Sequence, residues 1–175
     1  MKNLKKFVAL LLAGVMAMVM LTACSGGTAA DTEMEKELRG NLGARTEAAS
    51  LRDSDGKIKN DSKLYRETEK LLDHRIKAEA NSNMFGYLKV DFDVKGIDPA
   101  KQYVTVTVSA DYKTAGYVAG LITKITEEFG KIEATNSNVK FDTEWAKAAV
   151  VVKTTDKGSY AAIAIQVKNL AYKGK

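Results

Sequence analysis

Few side chains in this sequence have reactive potential, and their spacing limits the chemistry they can do. Asp91 and Asp93 stand two apart in an alternating stretch. On a β-strand that spacing turns both carboxylates to one face, the geometry of a paired general acid and base. It serves equally well as charged decoration of an exposed sheet face, which is the plainer expectation. His74 is the single histidine. It lies between Asp73 and Arg75 in a helical pattern, with no second histidine, serine or cysteine at a useful spacing, and is expected on the solvated side. There is no Gly-x-Ser-x-Gly, no phosphate-cradling glycine loop and no His-Glu-x-x-His. No catalytic set, metal site or cofactor site is therefore expected, and the chain reads as non-enzymatic.

The elements that would position these residues follow from periodicity. Asp31 to Arg39 has weak helical patterning through Met34 and Leu38, and Gly40 is expected to interrupt it. Asn41 to Asn60 mixes Gly, Ser, Asp and Lys and reads as loop or a short marginal helix. Within it, Asp53-Ser54-Asp55-Gly56 matches part of a calcium-binding loop. With Gly56 as the turn glycine, the first ligand position falls on Leu51 and the final acid on Ser62. Two essential ligands are missing, so a plain Asp-Gly turn is expected. Asp61 is placed to cap a helix whose apolar stripe is Leu64, Tyr65, Thr68, Leu71, Leu72 and Ile76. Asn81-Ser82-Asn83 ends it. Leu88, Val90, Phe92 and Val94 then alternate with polar residues, as do Val104, Val106 and Val108, giving two antiparallel strands about a Gly96–Pro99 turn. A second helix is expected from about Tyr112 to Ile132, and Asn136-Ser137-Asn138 punctuates again. Trp145 to Lys153 and Tyr160 to Val167 read as strands about a Thr154–Gly158 turn. Their near-continuous apolar runs suggest central positions in the sheet.

The order helix, Asn-Ser-Asn, strand, turn, strand thus occurs twice. Two α-β-β units predict an α+β fold, a two-layer sandwich of four antiparallel strands with two helices on one face. This resembles a permuted ferredoxin-like arrangement, and it is similar to small α/β modules that build rings and pilus platforms at bacterial membranes. The sheet face opposite the helices is the candidate binding surface. Tyr87, Lys89, Asp91, Asp93, Tyr103, Thr105 and Thr107 are expected there, with Trp145, Lys147 and Lys153 joining them through the repeat. Aromatics, hydroxyls and charges on a flat sheet suit stacking on sugar rings or gripping an extended peptide. The competing expectation is that residues 31–60 cover this face with Trp145 as their core contact.

Location is legible at the N-terminus. Lys2, Lys5 and Lys6 precede Phe7 to Leu21, an uncharged run of about fifteen residues, the length of a secretory signal core and short of the roughly 20 needed to span a bilayer. Thr22, Ala23 and the only cysteine, Cys24, follow. Leu21-Thr22-Ala23-Cys24 resembles the lipobox of bacterial lipoproteins. That resemblance implies a diacylglyceryl group on the Cys24 sulfur, cleavage before Cys24, and a chain held on the outside of the cytoplasmic membrane. It divides the chain into a signal peptide (1–23), a lipid-anchored tether and N-terminal segment (24–60) and an α+β domain (61–175). Ser25 to Ala30 reads as a small flexible tether.

The formal charge of +5 is partly this address. Three of the 27 basic residues and none of the 22 acidic ones precede Cys24, so 24 against 22 remain, a formal +2. No nucleic-acid partner is inferred from it. With Cys24 acylated no thiol is left for a disulfide, and packing alone must hold the fold. The expected partners are the membrane, through Cys24, and an envelope protein or cell-wall glycan.

Overall fold

The structure, a computed structural model, describes residues 28–45, 49–81, 91–95, 98, 100–112 and 118–173. In chain order these form helix α1 (Ala29–Gly43), a 3-10 turn (Ala49–Leu51), helix α2 (Ser62–Asn81), strands β1 (Asp91–Lys95) and β2 (Tyr103–Asp111), helix α3 (Val118–Thr135), and strands β3 (Phe141–Thr155) and β4 (Gly158–Asn169). The strands make one curled antiparallel sheet in the order β1-β2-β4-β3. The fold is α+β, as its alternating and helical periodicities predict.

The two sheet faces are covered by different helices. Val104, Val106 and Val108 of β2 lie beside Val167, Ile165 and Ile163 of β4, and these beside Ala148 and Val150 of β3. They form the main core with Leu38 and Leu42 of α1, Leu51, Ile58, and Ile125, Phe129 and Ile132 of α3. The Phe129 and Phe141 rings meet edge-on there, centroids 5.2 Å apart, a contact that contributes on the order of 1 kcal/mol beyond burial. On the opposite face, α2 sets Leu64 against Ala149 and Ala164, and Leu72 against Val151 and Ala162. The small alanines let the helix approach closely.

The expectation of helices on one face is therefore corrected: α2 and α3 lie on opposite faces. The duplication falls with it. An axis exchanging the β1–β2 and β3–β4 hairpins, with β2 antiparallel to β4, must stand perpendicular to the sheet, and it would keep equivalent helices on one side. The two units repeat in order of elements, not in space.

The path between α1 and α2 explains the two-sided cover. Ile58 is buried in the main core and Leu64 on the other face, so residues 58–64 pass round the outer edge of β3. Asp61 caps α2 as expected, its Oδ1 accepting from the Leu64 N–H at 2.9 Å. β3 proves to be an edge strand, not a central one; its run Ala148–Val152 is apolar because both its faces are covered there.

Residues 29–43 form one helix straight through Gly40, against the expected break. Thr28 and Asp31 cap it reciprocally: Thr28 N–H donates to Asp31 Oδ2 at 2.7 Å, and Asp31 N–H to Thr28 Oγ1 at 3.2 Å. Thr28 to Ala30 therefore belong to the fold and not to the expected tether; Ser25, Gly26 and Gly27 lie outside the described residues. The Asp-Gly turn forms as predicted, with Gly56 at φ +74° and Asp53 Oδ1 accepting from the Asp55 and Lys57 N–H groups, each at 3.0 Å. It packs on the end of α1, where a Cβ at Gly43 would stand 2.2 Å from Gly56 O.

Candidate functional site

The predicted platform is divided by the sheet. Strand pairing places Tyr103 beside Lys168 and Lys147 beside Gln166, on the face that α2 partly covers. Trp145 pairs with Val167 and packs against the main core, on the other face. The register shift between Trp145 and Lys147 is responsible. A bulge adds a residue, so positions two apart no longer share a side. Lys153 stays on the α2 face. Cys24, Tyr87 and Lys89 lie outside the described residues, and Asp91 is described only through its backbone pairing with Ser109. Asp93 is ion-paired with Lys95 at 3.3 Å.

What is left of the platform is its Tyr103 end. Thr107 and Ser109 are buried. Tyr103 and Thr105 remain half-buried and Lys168 exposed. Gln166 Nε2 donates to Thr105 Oγ1 at 3.1 Å, and Lys147 Nζ pairs with Asp61 Oδ2 at 2.9 Å. The Leu64 N–H, and then Lys147, hold the Asp61 carboxyl below the usual carboxylate range.

A second polar assembly closes the outer edge of β3. Val150 N–H donates to Asn60 Oδ1 at 2.9 Å, and Asn60 Nδ2 donates to Val150 O at 3.1 Å and to Glu35 Oε1 at 3.0 Å. Asp61 N–H donates to Ala148 O at 3.0 Å. Tyr65 Oη, from α2, donates to Glu35 Oε2, from α1, at 3.0 Å. Asn60 thus stands in for a neighbouring strand, and the edge is covered against pairing from Ala148 to Val152. Burial pushes the Glu35 carboxyl above its ordinary range, against the hydrogen bond from Tyr65, the Arg39 charge and hydrogen bonds from Asn60 and the Val152 backbone. Burial, then the Glu35 charge, raises Tyr65 in turn.

Helix α2 divides its charges by side. Glu69 and Asp73 turn inward onto Lys153, at 3.3 and 2.6 Å. Burial alone would lower the Lys153 pKa, but the hydrogen bond and charge of Asp73, with Glu69, raise it overall. The outward face carries Lys63, Arg66, Lys70, His74 and Lys77, all exposed, with Glu67 the one acid among them. His74 is on the solvated side, as expected. Spacings of three and four residues made this ridge readable in the sequence, but only knowledge of which acids turn inward separates it from a mixed face. On α1, an open groove of about 450 Å³ is lined by Glu33, Met34, Lys36, Glu37, Gly40, Asn41 and Lys57.

Among the described residues no three His, Cys, Asp or Glu side chains are grouped to hold a metal ion, and no helix is long and apolar enough to cross a membrane. No family model matches the chain, and neither a curated protein nor a solved structure does.

Proposed function

We propose that the chain is a lipid-anchored, extracytoplasmic protein whose α+β domain is a non-enzymatic binding or scaffold module at the cell envelope. Leu21-Thr22-Ala23-Cys24 behind a basic and then apolar segment carries the reading. The position of the fold supports it. The capping box at Thr28 leaves three residues after Cys24, a span of at most about 14 Å to Thr28 when fully extended. Two acyl chains on Cys24 would hold durably, at about 0.8 kcal/mol for each buried CH₂, and the domain would work against the headgroups. The alternative, a wall-glycan module on an aromatic sheet face, loses its largest aromatic, because Trp145 packs on the other side from Tyr103 and Lys147.

Mass spectrometry of the purified mature chain tests the anchor. The expected product begins at Cys24 and carries a diacylglyceryl group, and Cys24→Ser leaves the chain uncut or in the soluble fraction. A wild-type product with a free Cys24 thiol, or cut elsewhere, overturns the proposal.

A further inference from the structure

We propose that the outward ridge of α2 docks on an anionic lipid surface. Lys63, Arg66, Lys70, His74 and Lys77 follow one another at intervals of three and four residues, so they form a single line on the helix. From Lys63 to Lys77 it runs about 21 Å. Among the described residues none of Lys63, Arg66, Lys70 and Lys77 makes an ion pair; Glu69 and Asp73 are engaged with Lys153, which leaves Glu67 as the acid on the outward face. Like charges at these spacings oppose helix formation. The fold thus exposes a line of cations in excess of the one acid beside them, a charge that internal packing does not require.

The occupant follows from charge complementarity and from the short span between Cys24 and the capping box at Thr28. A phospholipid surface presents a continuous sheet of negative charge, and clusters of four or more Lys or Arg beside a membrane are drawn to it within a Debye length, about 8 Å at physiological salt. Three residues separate Thr28 from Cys24, and Tyr65, in the first turn of α2, is bonded to Glu35 of α1. The first turn of α2, where the ridge begins on its outward side, therefore lies beside α1, the described helix nearest Cys24 in sequence. This inference rests on the anchored reading for its proximity, while the charge pattern is independent of it.

The test uses the full chain with two kinds of vesicle: phosphatidylcholine alone, and phosphatidylcholine with one-third phosphatidylglycerol. Flotation reports attachment, and an amine-reactive label read by mass spectrometry reports exposure of Lys63, Lys70 and Lys77. Lys124, exposed on α3 across the sheet, is the reference. On anionic vesicles labelling of the three ridge lysines is expected to fall roughly fivefold, the weight of one surface cation. High salt restores it, and Lys124 does not change. In Arg66→Gln/Lys77→Gln, protection of Lys63 and Lys70 weakens. Attached chain whose ridge labels equally on both vesicles overturns the proposal, as does protection by soluble polyphosphate but not by anionic vesicles. Flotation with anionic vesicles alone sustains the ridge and sinks the anchor; flotation with neither sinks both.

Discussion

Glu35 shows how a residue of no apparent distinction in the sequence becomes a junction in the fold. It occupies one position in the polar face of α1, yet it accepts from Asn60 and Tyr65, 25 and 30 residues on. Its raised pKa has a definite consequence for stability. The folded state holds the proton more tightly than the unfolded chain, so the Glu35 contribution is fully present below the ordinary carboxylate pKa and is lost as pH rises through the elevated one. Urea unfolding of wild type and Glu35→Gln across pH 4 to 8 is expected to show a smaller loss of stability with rising pH in the variant. An unchanged slope would mean that burial does not raise the Glu35 pKa. Residues whose partners are local were legible: Asp61 caps the helix that it precedes, and Asp53 closes its own turn. Trp145 was not, because a bulge that changes its face leaves no mark in an alternating pattern.

At the level of elements, periodicity located the strands and α2, but it missed how far α1 extends. Gly40 reads as a helix breaker, and by propensity it costs about 1 kcal/mol relative to Ala. The helix continues because Leu38 and Leu42 are both fully buried, and burying such a side chain contributes about 2 kcal/mol each, more than the glycine costs. The glycine that matters is Gly43, where the helix end meets the Asp-Gly turn backbone to backbone. Gly43→Ala is expected to force the two apart and destabilise the fold by roughly 1–3 kcal/mol, read as a lower Tm and a lower denaturation midpoint. An unaltered midpoint would show that the helix end and the turn separate freely. The near-continuous apolar run of β3 suggested a central position, but the strand stands at the edge: the run reflects cover on both faces, and that does not make a strand central.

For the whole molecule, the sequence specified the class and the number of sheet strands, yet not the sides of the sheet that the helices take. That choice belongs to the route of the chain, and residues 58–64 decide it by turning round the β3 edge. Asn60 is the pivot. Asn60→Ala removes both bonds to Val150 and one to Glu35, and is expected to destabilise by about 2–3 kcal/mol. It also opens an edge strand, so light scattering during size exclusion should show association that grows with concentration. A variant that is weakened but stays monomeric would mean that the surrounding chain, rather than the asparagine, shields the edge.

The same pivot sets an order of events. Asn60 and Val150 are 90 positions apart, so the crossover from α1 to α2 has no strand edge to close on until β3 has been synthesised. Contacts of such long range close late and slowly. On the anchored reading proposed above, a chain exported while its C-terminal third is still unmade would travel as an open thread, and would take its shape only on the far side.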